Sequence, residues 1–201
     1  IFDECTSGFR NNYGGLHLLY GVNPDIAMFG KAIGNGHAIT AVIGKKKIMN
    51  SAKNSFISST FWGERSGFVA ALTTLKEMKK IKSWKKILSN GIYLIKEITK
   101  IGKKHKLQIE FSGKPSFFSF NFQSKNNYKY KFLLIDYFLK RNILASNVIY
   151  LSIFHDKKLS KIYLKYLNEV FKIISDCEKN LLNVNKLVRL PKQINELKRY
   201  N

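Results

Sequence analysis

Two cysteines, Cys5 and Cys177, are all that the 201 residues contain. That is too few for a disulfide framework, and a reducing compartment is the default expectation. No run approaches the ~20 apolar residues that a membrane span needs, and no basic, apolar, small-residue series at the amino terminus resembles a signal peptide. A soluble, cytoplasmic protein with no membrane partner is expected. Arginine is scarce, at five residues against 30 lysines. Because arginine is the usual reader of base edges, and no zinc-finger, RNA-recognition or helix-turn-helix signature accompanies the lysine pairs, no specific nucleic-acid partner is expected. An initiator methionine is also lacking: Ile1 opens directly into Phe2-Asp3-Glu4, like the end of a buried strand, and the chain reads as a fragment.

What is present is a chain able to bury a core, with 45% hydrophobic and 13% aromatic residues. Acidic residues number 13 against 35 basic ones, a formal net charge of +22. The excess is carboxy-terminal: residues 1–75 carry 7 basic and 4 acidic side chains, residues 76–201 carry 28 and 9. Such a field raises nonspecific attraction to polyanions. The lysines, however, fall where helical periodicity puts a solvated face, and Lys, Ile and Asn together make 70 of 201 residues. A biased coding composition explains this skew as well as a partner does.

Short apolar runs between Gly and Pro signals at Ile1-Phe2, Ile26–Phe29 and Ala38 to Ile43 read as buried strands. A helix is expected from Ser66, with Phe68, Ala71, Leu72 and Leu75 at spacings of three and four. A second runs over Trp84–Ile101, with Ile87, Leu88, Ile92, Ile95, Ile98 and Ile101 on one stripe. Gln108–Phe111 and Ser116–Phe122 read as strands around a Gly113-Lys114-Pro115 turn, Lys131–Arg141 as a helix, and Val148–Phe154 as a strand. The clearest helix follows Asp156, a candidate N-cap, with apolar residues from Leu159 to Cys177. The expected organisation is the end of a larger α/β sheet over 1–95, a small α+β domain over 96–180 and a tail over 181–201 that is a peripheral helix or loosely held.

Three loops in the first half carry the chemistry. Asp3 is delivered at a strand's carboxyl end into a Gly-containing turn, where α/β sheets place ligand sites. Lys31 follows the Ile26–Phe29 strand and is walled by Gly30, Gly34 and Gly36, which let a planar ligand approach, while apolar neighbours favour a nucleophilic free amine. Ser58-Ser59-Thr60-Phe61-Trp62-Gly63 is a hydroxyl loop suited to a phosphate. An acid, a lysine and a hydroxyl loop match what pyridoxal phosphate requires, although each alone has ordinary structural explanations.

The order and spacing of Asp3-Glu4-Cys5, Ser7-Gly8-Phe9-Arg10, Gly21-Val22-Asn23-Pro24-Asp25, Gly30-Lys31-Ala32-Ile33-Gly34-Asn35-Gly36 and Ser58-Ser59-Thr60-Phe61 resemble class III pyridoxal-phosphate aminotransferases, most closely the glutamate-1-semialdehyde 2,1-aminomutase-like branch. Ser152 to His155 resembles a weaker carboxy-terminal motif of the family. The resemblance implies a fold-type-I α/β transferase: part of the mixed large-domain sheet followed by a small α+β domain. It implies that pyridoxal 5'-phosphate is the cofactor, that Lys31 forms its Schiff base and shuttles the substrate's α-proton, and that Asp3 pairs with the pyridinium nitrogen. Cys5 then packs on the ring face, and Thr60 binds the phosphate from across a homodimer interface. The partner is a small amino or keto compound.

The family's valine is replaced by Cys5, and the residue-Pro pair after the glycines by His37-Ala38. Trp62-Gly63-Glu64-Arg65 replaces a Gly-Asn-Pro-like turn. The substrate therefore stays open between glutamate semialdehyde and a keto sugar of the kind used in surface-polysaccharide assembly, and His37 is a residue that could touch it. No zinc site is expected, since His17, His105 and His155 lack partners at metal-ligand spacing. Family members are about twice as long, so the chain reads as the carboxy-terminal part of an enzyme. Two other readings are a nonenzymatic truncated homologue and a basic nucleic-acid-binding protein.

Overall fold

The computed structural model describes residues 1–58, 60 and 63–188. Ser59, Phe61 and Trp62 of the hydroxyl loop, and the tail beyond residue 188 with Pro191, lie outside the described residues. The chain divides into two compact units, Ile1–Ser89 and Asn90–Asn201.

The first unit is built on a short mixed sheet. β1 (Phe2–Asp3) lies parallel to β2 (Ile26–Phe29), with Asp3 opposite Met28, and β3 (Ala41–Gly44) runs antiparallel to β2, with Phe29 opposite Ala41. Because β1 and β2 are parallel, their carboxyl ends lie at the same edge, and the loops carrying Asp3 and Lys31 emerge there together. Alternation along β2 buries Ala27 and Phe29. The expected burial of the other strands is corrected: Ile1 is 80% exposed, and Val42 and Ile43 of β3 are also exposed. In a three-stranded sheet, β1 and β3 are the edges, and among the described residues nothing covers these side chains.

A single helical turn, α1 (Lys46–Met49), precedes α2 (Arg65–Ile81), whose start is fixed by Glu64 accepting hydrogen bonds from the Ser66 and Gly67 amides. The expected α2 stripe splits. Ala71 is buried with Gly67, whereas Phe68 and Leu72 are exposed. Gly67 takes the inward position because the Ala38 carbonyl passes 2.9 Å from where a Cβ would stand. The chain then turns through Lys82 into α3 (Ser83–Lys104), and the division between the units falls within this helix. Its inward face matches the expected stripe only in part: Ile87 and Ile98 are buried as expected, Ile92 is exposed, and Gly91 and Leu94, outside the stripe, are buried. The Pro115 carbonyl occupies the space a Cβ at Gly91 would need, so a glycine, invisible to an apolar-stripe count, marks the contact face.

The second unit is an antiparallel sheet with helices. β4 (Ile109–Lys114) pairs with β5 (Phe117–Phe122), and β5 pairs with β6 (Val148–Tyr150). Lys114 pairs directly with Phe117, so β4 runs through the expected Gly113-Lys114-Pro115 turn and the reversal is confined to Pro115 and Ser116. β6 is shorter than expected because His155 Nδ1 accepts from the Ser152 amide at 2.9 Å and curls the chain away from the sheet. α4 (Asn127–Leu139) begins four residues earlier than Lys131. α5 (Lys157–Glu178) starts where expected, Asp156 Oδ1 accepting the Leu159 amide at 2.8 Å. A last turn, α6 (Val184–Leu187), buries Val184.

The core of this unit is aromatic. Phe118, Phe120 and Phe122 project from one face of β5, and Phe120, Tyr130, Phe138 and Phe171 have no solvent exposure. Phe171 meets Phe122 edge-on at 5.2 Å and Phe120 at 6.0 Å. Each such ring removed from water stabilises the unit by about 1.5–3 kcal/mol.

Candidate active site

Asp3 ends β1 and stands exposed at the carboxyl edge of the sheet. Its Oδ1 accepts the Cys5 amide at 2.9 Å. That hydrogen bond, with help from the Cys5 thiol and the positive charge of Lys31, holds the carboxyl below its ordinary range and keeps it ionised. Lys31 follows β2 by two residues. Its backbone adopts a left-handed conformation, φ 47°, uncommon for a lysine, and its carbonyl accepts both the Gly34 amide and the Asn35 amide at 3.1 Å. A tight turn over Lys31–Ile33 thus holds a strained residue in place, a pattern concentrated at functional positions.

The Lys31 amine donates a hydrogen bond to Thr6 Oγ1. Cys5 lies alongside: a Cβ at Gly30 would stand 3.4 Å from its sulfur. Burial and the neighbouring Asp3 carboxylate push the thiol's pKa up, so Cys5 is a neutral thiol rather than a nucleophile. The structure therefore brings Asp3, Cys5 and Lys31 together at one sheet edge. Thr60 sits exposed in a turn, and among the described residues no hydrogen bond joins it to these three. His37 is exposed.

Two participants were not expected. Thr6 was visible only as a turn residue, and nothing in its spacing from Lys31 signals a contact across 25 positions. Glu4 is 3% exposed. Its Oε1 accepts both the amide and Nδ1 of His17, each at 2.9 Å, and Oε2 accepts the Ser7 hydroxyl. Burial alone would raise its pKa, but the hydrogen bonds from Ser7, His17 and Leu16 outweigh this and lower it. The signal for Glu4 lay beside Asp3 in the motif, where an acid next to an acid is conspicuous.

The model of the family described as class-III aminotransferases matches residues 1–153. The chain belongs to the class-III aminotransferase family. Among curated relatives, it is 35% identical over 139 residues to a 3-aminobutyryl-CoA aminotransferase of Cloacimonas acidaminovorans, covering 69% of this chain and 34% of that one. It is 30% identical over 194 residues to a glutamate-1-semialdehyde 2,1-aminomutase of Wigglesworthia glossinidia brevipalpis, covering 88% and 45%. The chain thus spans less than half the length of these relatives. Among solved structures, the FumI protein of Sphingopyxis sp. MTA144 superposes with a TM-score of 0.82 at 20% identity, over 92% of this chain and 45% of that one. An omega-transaminase from Sphaerobacter thermophilus gives 0.76 at 19% identity, over 85% and 43%. The class-III member therefore has the fold-type-I architecture expected from its motifs, over the part of that fold it covers.

Proposed function

We propose that this class-III chain carries the lysine-bearing part of a pyridoxal-phosphate-dependent enzyme of amino-group transfer, an aminotransferase or a glutamate-1-semialdehyde-type aminomutase. The observation that carries the reading is the convergence of an ionised Asp3 and a hydrogen-bonded Lys31 amine on adjacent strand ends. These residues fit the cofactor's chemistry: a primary amine for its aldehyde and a carboxylate for its ring nitrogen.

When bound, pyridoxal phosphate supplies an electron sink that makes the substrate's α-proton removable. Lys31 is the covalent attachment point and, once its amine is free, the base that takes and returns that proton. The Thr6 hydroxyl orients the amine. Asp3, kept charged by the Cys5 amide, holds a proton on the ring nitrogen. Cys5 offers an apolar, neutral flank to the ring. Thr60 binds the phosphate from the second subunit of a homodimer, acting on a small amino or keto substrate in the cytoplasm, with the large domain over 1–95, the small domain over 96–180 and a tail over 181–201.

Titration of pyridoxal phosphate into the intact protein and into Lys31→Ala tests the reading. The expected result, after borohydride reduction and denaturing gel filtration, is cofactor absorbance that stays with the intact protein and is lost from Lys31→Ala. Absorbance fixed covalently to Lys31→Ala would overturn the assignment.

A further inference from the structure

We infer that Glu4 is a positioning residue, whose buried side chain clamps the turn that presents Asp3 and Thr6 to Lys31. Neighbouring residues at a strand's end point to opposite sides, and Asp3 is exposed while Glu4 is 3% exposed. Glu4 is held at every polar atom. Its amide donates to the Met28 carbonyl at 2.8 Å, continuing the β1–β2 ladder, and its carbonyl accepts the Gly8 amide at 2.8 Å, closing the turn that contains Cys5, Thr6 and Ser7. Gly8 is required there, since a Cβ would lie 2.8 Å from that carbonyl and 2.6 Å from the Phe29 ring.

The side chain supplies a second closure. Its carboxylate reaches across 13 positions to the amide and ring of His17 and across three to the Ser7 hydroxyl. The pair is shielded, with side-chain exposures of 10% for His17 and 4% for Glu4. A carboxylate so removed from water must keep its donors, so the excursion from Cys5 to Leu16 is pinned to the strand end. Residues 4 and 8 close the turn from the backbone, and Ser7 and His17 close it from the side chain. The Cys5 amide, which charges Asp3, and the Thr6 hydroxyl, which holds Lys31, stand inside that closure. The clamp itself stands on this geometry; that Asp3 and Thr6 serve a cofactor rests on the function proposed above.

Carboxyl-detected NMR titration of the full chain without cofactor tests the clamp. In Glu4→Ala the Asp3 midpoint is expected to rise toward the ordinary aspartate value of 3.8, because the Cys5 amide is no longer held. Glu4→Gln, which keeps one acceptor oxygen for His17, should give a smaller rise and serves alone if the alanine variant does not fold. Ala71→Gly, which weakens α2 in the same unit without touching the turn, should lower Tm and leave the Asp3 midpoint in place. An unchanged Asp3 midpoint in a folded Glu4 variant, or an equal rise in Ala71→Gly, would overturn the inference. A shifted Asp3 midpoint combined with no cofactor bound at Lys31 would uphold the clamp and overturn the function.

Discussion

The two units differ in where their apolar side chains go. Among the described residues, five of the 23 buried apolar side chains lie in the first unit and 18 in the second. Phe120, Phe138 and Phe171 are sealed in the second unit, while Phe68, Val69 and Leu72 stand exposed on α2 of the first. The second unit closes a core of its own. The first holds the chemistry on a sheet edge fixed by turns, caps and a buried carboxylate rather than by a filled interior. Exposed apolar patches of this kind mark surfaces that other protein covers, which suits the homodimer proposed for the enzyme.

The contrast is broken or upheld most sharply by a pair of phenylalanines. Phe171→Ala removes a fully buried ring and should cost about 3–5 kcal/mol in urea unfolding, whereas Phe68→Ala should stay within about 0.5 kcal/mol. Equal losses would mean that α2 is as enclosed as α5.

Opposite pH limits should follow next. Glu4 has a lowered pKa in the folded chain, so its contribution is complete above its ordinary value of 4.5 and is lost as pH falls through the folded value. Tyr130 and Tyr137 are raised, first by burial and then by hydrogen bonds to Glu178 and Glu169. Their contribution is complete below the ordinary value of 10.0 and is lost as pH rises through the folded values. Thermal melts across pH should therefore show acid lability reduced by Glu4→Gln and alkaline lability reduced by Tyr130→Phe.

A smaller effect is expected at the α5 cap, where Asp156→Ala should cost about 1 kcal/mol and reduce helical circular dichroism. Smallest is Lys31→Gly. Relief of the left-handed backbone should raise stability by about 1 kcal/mol or less, even as the amine is lost. A fall in denaturation midpoint there would show that the turn is not strained.

Elements with strong periodicity were legible from sequence: α5 with its Asp156 cap, β2, and the succession of strands and helices in the second unit. Boundaries were missed where a local hydrogen bond or backbone contact decides them, as at Ser152-His155 and Pro115-Ser116. The α3 face was read only in part, Ile87 and Ile98 being buried as expected, because Gly91 contributes no hydrophobicity yet marks a close approach. That Asp3, Cys5 and Lys31 lie together was legible because they sit at or just beyond strand ends within a family motif. The contact of Thr6 was not, and Glu4 was legible as a motif residue but not in its contacts, since hydrogen bonds spanning 25 and 13 positions leave no periodic trace.

The central claim is that Lys31 carries the cofactor. Borohydride reduction of the intact protein loaded with pyridoxal phosphate, followed by peptide mass mapping, reads this directly. The expected result is a reduced phosphopyridoxyl group on Lys31 and on none of the other lysines; a label elsewhere, or no label on protein that has bound the cofactor, would contradict it.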